Sequence, residues 1–197
     1  QADASIVLNG DEIPFGNNFL FDVGGVLTGV EICEDLWVRD APSRLQAEQG
    51  ALVIVNPSAS NELVGKASYR RQLVAQQSAS LMVAYAYASS DPSESTMDVV
   101  MSGHQMIVEN GRIIEERKPL SINEKRLHVA DIDIDHIKHD RLRDNNFANR
   151  IGAQVIKCTV EQPSFDPEPK VIRDPFMPAN ETAEARTERF DSIINIQ

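Results

Sequence analysis

Residues 26–37, Val-Leu-Thr-Gly-Val-Glu-Ile-Cys-Glu-Asp-Leu-Trp, constrain this chain more than any other stretch. Val26, Leu27, Val30 and Ile32 are β-preferring apolar residues grouped as in a buried strand. The strand runs straight into Cys33, then the charged pair Glu34 and Asp35, then Leu36 and Trp37. A cysteine at a strand terminus stands where the backbone turns and leaves amide N–H groups free to face a substrate oxygen. A small apolar filler of the core is the other reading of Cys33, and the usual one for a free cysteine. On these residues alone both readings stand.

The neighbouring sequence places that strand in a βαβ unit. Asp40 suits a helix N-cap, Pro42 its first turn and Gly50 its C-terminal stop. Ala51–Val55 then forms a nearly continuous apolar strand ending at Asn56-Pro57. Two apolar strands joined by a short helix predict parallel pairing in a sheet covered on both faces. The loops after parallel strands share one sheet edge, so residues 57–65 lie at the same end as Cys33.

A helix is predicted over about residues 66–80, with Tyr69, Leu73 and Val74 on its apolar face and Arg70 and Arg71 mostly elsewhere. A strand follows at 81–88. Asn110-Gly111 between 104–109 and 112–117 is a two-residue type I′ hairpin signal. Residues 4–8 read as a strand and 11–18 as a loop or short hairpin. Residues 126–134 read as a last strand of period two, and 135–143 as a short basic helix. Five prolines between 163 and 178 predict an extended segment, and 181–196 regains helical spacing.

Composition removes several function classes. Nineteen Lys plus Arg against 30 Asp plus Glu give a net charge of −11. That is no footprint for nucleic acid or an anionic membrane. No apolar run approaches the roughly 20 residues needed to span a bilayer. Cys33 and Cys158 are too far apart and too few to suggest a disulfide framework or a zinc site. A cytoplasmic setting is the expectation. The chain opens on Gln1, and residues 1–32 contain no Lys, Arg or His, which suggests that a preceding segment was removed or left out.

Six segments resemble one family in order and in compatible spacing. They are Glu31-Ile-Cys-Glu-Asp-Leu-Trp37, Asn56-Pro-Ser-Ala-Ser60, Gly65-Lys-Ala-Ser-Tyr-Arg-Arg71, Tyr85-Ala-Tyr-Ala-Ser89, Glu94-Ser-Thr96, and Gly103-His through Glu109-Asn-Gly111. Together they resemble the glutaminase domain of glutamine-dependent NAD+ synthetases, a branch of the nitrilase (carbon–nitrogen hydrolase) superfamily. The resemblance implies an α/β fold, a nitrilase-like α-β-β-α sandwich of which only the second half is present, with an extended C-terminal tail. Residues 1–145 would be the partial glutaminase domain. Residues 146–197, with Asp174-Pro-Phe-Met-Pro178, would be a connector toward a synthetase domain.

The family chemistry is a Glu–Lys–Cys triad, which makes Cys33 the nucleophile toward the carboxamide of L-glutamine. The backbone N–H of Glu34 would help hold the oxyanion. By position, Ser60 matches a residue holding the substrate's α-amino end and Lys66 one pairing with its α-carboxylate. Where relatives carry Arg, Lys keeps the charge without the bidentate fork. Taken without the family, Ser60 is equally a turn residue and Lys66 a solvated charge opposing a helix dipole. The synthetase domain of the same chain, with ATP and Mg2+, is implied as the consumer of ammonia. No cofactor and no metal are expected in this stretch itself.

The departures matter as much as the match. The triad's Glu and Lys precede its Cys, yet residues 1–32 hold no Lys, and Glu12 and Glu31 lie outside the family's motif. A cysteine without a neighbouring base stays mostly protonated at neutral pH. The expectation is therefore an inactive middle fragment, whose uncovered apolar face promotes homo-oligomers. Another nitrilase-type amidase and a non-catalytic assembly fragment are the alternatives. Asp131-x-Asp133-x-Asp135 starts like a calcium loop but has His136 and Leu142 where Gly and Glu are required. His136 and His139 read as a solvated face, His104 as a strand residue rather than a partner of Cys33, and Cys158 as an inert strand residue.

Overall fold

The computed structural model describes residues 4–121, 126–145, 147, 151–160 and 182–196. They belong to two units, Gln1–Gln162 and Pro163–Gln197. The extended segment expected at 160–180 lies almost wholly outside the described residues.

Turn chemistry sets the first unit's beginning. Asn9 and Gly10, both at positive φ, join β1 (Ala4–Leu8) and β2 (Asp11–Phe15) into a separate two-stranded hairpin. Gly24-Gly25 similarly joins β3 (Phe19–Val23) to β4 (Val26–Val30). The chain continues through α1 (Pro42–Glu48), β5 (Val53–Ser58), α2 (Lys66–Leu81) and β6 (Ala84–Ser89). Next come β7 (Gln105–Glu109), β8 (Arg112–Arg117), α3 (Ile134–Arg143) and β9 (Gln154–Cys158). The expected I′ turn is present: Asn110 and Gly111 sit at φ 45° and 84° between β7 and β8. In the second unit, α4 spans Ala183–Ile196.

Seven strands form one mixed sheet in the order β8-β7-β6-β5-β4-β3-β9. β4, β5 and β6 are parallel neighbours, as the βαβ pattern requires. Their crossovers step across the sheet in a single direction, and right-handed crossovers of that kind leave both helices on one face. The main core accordingly packs Ala47 of α1 and Val74 and Leu81 of α2 against Ile54, Tyr85, Tyr87, Met106 and Val108. On the opposite face, Ile137 of α3 packs with Leu52, Ala84, Val26 and Val53. Elsewhere on that face Val30, Val55, Ala86 and Ile107 are only half-buried. Cover on both faces, as read from the apolar strands, is thus replaced among the described residues by helices on one face and partial cover on the other. β9, beyond residue 145, is still a strand of the sheet, parallel to β3 with Cys158 opposite Val23.

Three local expectations change. The N-cap of α1 is Ala41 rather than Asp40, with Pro42 opening the helix. Residues 126–133 form no strand: Asp133 instead caps α3, accepting from the His136 N–H at 2.8 Å. The alternating Asp and Ile residues therefore lead into a helix. On α2 the buried stripe is Arg70, Val74, Ser78 and Leu81, while Tyr69 is exposed.

Arg70 is fully buried and donates from Nη1 to Glu62 Oε2 at 3.0 Å and to His104 Nδ1 at 2.9 Å. Arginine can only donate, so His104 Nδ1 accepts and its Nε2–H donates to Glu116 Oε1, 2.9 Å away. Arg71 Nε donates to the same carboxylate at 3.0 Å. Burial, with Arg70 alongside, holds His104 below the usual histidine range and so neutral. Burial opposes ionisation of Glu116, but hydrogen bonds from Arg71 and His104 outweigh it and lower its pKa.

Gly29 lets α1 approach this sheet. A Cβ there would collide with Gln46 Oε1 and lie 2.8 Å from Ile54 Cδ1. With only hydrogen at that point, Gln46 Nε2 donates to Val30 O at 2.6 Å.

Two outcomes are expected. Arg70→Met strands Glu62 and His104 and should cost about 3 kcal/mol in urea denaturation. In a thermal series, stability should be lost as pH falls below about 6.5, where unfolded histidine gains a proton that native His104 refuses. The contribution of Glu116, present above about 4.5, should be lost on further acidification. His104→Gln should flatten the first step and leave the second.

Candidate active site

The parallel strands β4, β5 and β6 bring their C-terminal ends to one edge, and the candidate residues collect there. Past β4 the chain turns at once into a 3-10 helix, Cys33–Trp37. Cys33, half-exposed, has φ 51°, a left-handed conformation costing about 1–3 kcal/mol for a non-glycine residue. Asp35 clamps the turn, its carboxylate accepting from Ile32 N–H at 2.7 Å while its own N–H donates to Ile32 O at 3.0 Å. Glu34 lies just before that bond, at the end of a helix where N–H groups have no intrahelical acceptor. Its side chain is exposed.

A chain of buried polar groups supports the turn from behind. Cys33 N–H donates to Asn56 Oδ1 at 3.1 Å, and Ser58 Oγ donates to the same oxygen at 2.8 Å. Asn56 Nδ2 donates to Tyr85 Oη at 3.1 Å, and Tyr85 O–H donates to Glu31 Oε1. The second carboxylate oxygen of Glu31 accepts from Ser43 N–H of α1 at 2.9 Å. Glu31, Asn56 and Tyr85 are each at most 1 % exposed. Burial, and then the Glu31 charge, push the Tyr85 phenol far above its ordinary range, so it remains a donor. Glu31, Asn56 and Tyr85 had no assigned role in the sequence. For Glu31 and Asn56 the signal available was a polar residue toward the C-terminal end of an otherwise apolar strand; Tyr85, second in β6, gave none.

Lys66 opens α2 after Gly65, which takes φ 85°. Its Nζ donates to Asn61 Oδ1 at 2.7 Å and sits 5.4 Å from the centroid of the Trp37 ring. Trp37 in turn packs on Tyr69, ring centroids 5.5 Å apart. Burial, then the Arg70 charge, lower the pKa of Lys66, while Glu62 and Cys33 act in the other direction. Lys66 and Cys33 therefore lie within each other's electrostatic reach at this edge. Ser60 is buried in the loop between β5 and α2, and among the described residues its side chain makes no hydrogen bond to either. Trp37, unassigned from sequence, is what joins the Cys33 turn to Lys66.

The remaining candidates go elsewhere. His104 is committed to Arg70 and Glu116. Asp133 caps a helix, and His136 Nε2 lies 3.4 Å from Asp140. No cluster of potential metal ligands occurs among the described residues. No helix among them is long and apolar enough to cross a membrane.

No protein-family model matches the chain. The glutamine-dependent NAD(+) synthetase of Mycobacterium tuberculosis is 35% identical over an alignment of 191 positions that covers 89% of this chain and 28% of that protein. A glutamine-dependent NAD(+) synthetase from Cytophaga hutchinsonii superposes with a TM-score of 0.52 at 30% identity, covering 61% of this chain and 19% of the other. A carbon-nitrogen hydrolase from Helicobacter pylori G27 shares the fold, with a TM-score of 0.52 at 17% identity over 66% of this chain and 50% of its own. The chain spans a little over a quarter of the length of the curated relative. In sequence the chain is thus similar to one part of the glutamine-dependent NAD(+) synthetases, and it shares the nitrilase, or carbon-nitrogen hydrolase, fold.

Proposed function

We propose that this chain is the nucleophile-bearing part of a glutamine amidohydrolase domain that supplies ammonia for amidation of deamido-NAD. The observation that supports this most is the Cys33 turn, strained, half-exposed and within electrostatic reach of the Lys66 ammonium.

On this reading the Cys33 thiolate attacks the side-chain carboxamide carbon of L-glutamine, and the oxyanion that forms is met by the Glu34 N–H. The C–N bond breaks as the leaving nitrogen takes a proton from a general acid, which releases ammonia and leaves a thioester. Water, deprotonated by the same group, then cleaves the thioester to glutamate and free thiol. Ser60 and Lys66 hold the amino-acid end, Lys66 as a point charge toward the α-carboxylate.

Glu31 is not the proton carrier, since both its oxygens are engaged away from the thiol. No lysine occurs in residues 1–32 to complete the triad, and no Ser-Gly-Gly-x-Asp-Ser phosphate loop occurs in residues 1–197. The partners under this reading are L-glutamine, further copies of the chain, and a synthetase domain using ATP and Mg2+. The setting is the cytoplasm.

The purified 197-residue chain should release no ammonia from glutamine above background in a coupled assay. Iodoacetamide should nevertheless alkylate Cys33 about tenfold faster than Cys158, read by peptide mass spectrometry, because Cys33 is presented on a turn at the sheet edge whereas Cys158 is held within β9. Equal rates at the two cysteines would overturn the nucleophile assignment. Calorimetric binding of L-glutamate should weaken about tenfold in Lys66→Ala and hold or tighten in Lys66→Arg. Because Lys66 titrates below an ordinary lysine, wild-type binding should fade at a lower pH than that of Lys66→Arg.

A further inference from the structure

We propose that Glu31 is the positioning residue for Cys33, fixing through Tyr85 and Asn56 the direction in which the turn's peptide N–H points and hence where the thiol is presented. The inference deepens the functional reading above and rests on Cys33 being the nucleophile.

The polarity of the chain runs one way. An ionised carboxylate only accepts, so Tyr85 must donate to it and offers Asn56 only a lone pair. Asn56 can satisfy that lone pair only with Nδ2, which leaves Oδ1 toward Cys33 N–H and Ser58 O–H. Reversing the Asn56 amide would set N–H against N–H at Cys33 and leave Tyr85 facing a second acceptor. With Glu31, Tyr85 and Asn56 buried, water has no ready access to relieve either mismatch. Glu31 is itself held from α1 by the Ser43 N–H, so the carboxylate cannot swing toward solvent.

Two consequences reach the chemistry. The Cys33 N–H is taken by Asn56, which leaves the next amide, that of Glu34, to face a developing oxyanion. The left-handed φ of Cys33 is also held by a bond whose acceptor has one permitted orientation. Gln at position 31 keeps the volume and removes the one-way polarity: its amide can donate to Tyr85, which then donates to a reversed Asn56.

The test compares wild type, Glu31→Gln and Tyr85→Phe in the 197-residue chain. Amide hydrogen exchange by NMR should show the Cys33 amide exchanging about tenfold faster in both variants, with β5 and β6 amides within about twofold of wild type. At high pH, where both thiols are fully ionised, iodoacetamide should alkylate Cys33 about fivefold more slowly in the variants while Cys158 in the same molecules is unchanged. That limit reads geometry rather than ionisation, and a general loss of packing would move both cysteines.

Unchanged exchange and alkylation at Cys33 would overturn the proposal. So would parallel loss of protection throughout the sheet, or failure of both variants to fold, each of which makes Glu31 a fold stabiliser only. Failure of the nucleophile reading shows separately in the wild type, as equal alkylation of Cys33 and Cys158 at neutral pH, and removes this role with it.

Discussion

Glu31 is sealed between the end of β4 and α1, where its carboxylate has no access to solvent and must find every partner within the protein. Burying such a charge costs far more than a hydrogen bond returns unless each oxygen is served. Here one oxygen takes a phenol and the other a helix N–H. The helix, the middle strands and the cysteine turn are thereby tied to one group. The sheet edge is not a set of loops that happen to meet. It is a polar core continuous with the apolar one below it.

A second polar core is built on α2. Arg70, His104, Glu116 and Arg71 alternate donors and acceptors between α2, β7 and β8, under the ring of Tyr87. Neutral histidine is required for the pattern, because its Nδ1 must accept from an arginine. Arg70 and Arg71 stand about one turn into α2, the helix that Lys66 opens. α2 is therefore pinned by directional bonds as well as by Val74 and Leu81, so its first residue is set firmly over Trp37.

How much of this the sequence disclosed follows from what periodicity measures. Turns with a fixed φ requirement, such as Asn110-Gly111, and apolar runs interrupted by Gly and Pro marked the strands and helices within a few residues. The Cys33 turn and Lys66 were visible through motif spacing. Arg70 was not, because an arginine on a helix reads as solvent-facing unless its partners are known, and those lie 8 and 34 residues away. The alternation at 131–135 misled for a related reason: Asp at alternate positions suits an exposed strand face as well as a helix cap, and only the bond to His136 distinguishes them. Tyr85 and Asn56 look like ordinary strand residues because a hydrogen-bond chain leaves no period in the sequence. The one-sided placement of α1 and α2 came from chain direction across the sheet, which local pattern does not record.

Gly29 carries a consequence out of proportion to its size. Its missing side chain is what allows α1 to lie close enough for Ser43 to reach the Glu31 carboxylate. A single methyl group at that point would lift the helix and slacken everything wired to it, although position 29 touches no ligand. Among descendants of this sequence, drift would thus be tolerated around the mouth of the site sooner than at a residue behind it that has nothing to offer but room.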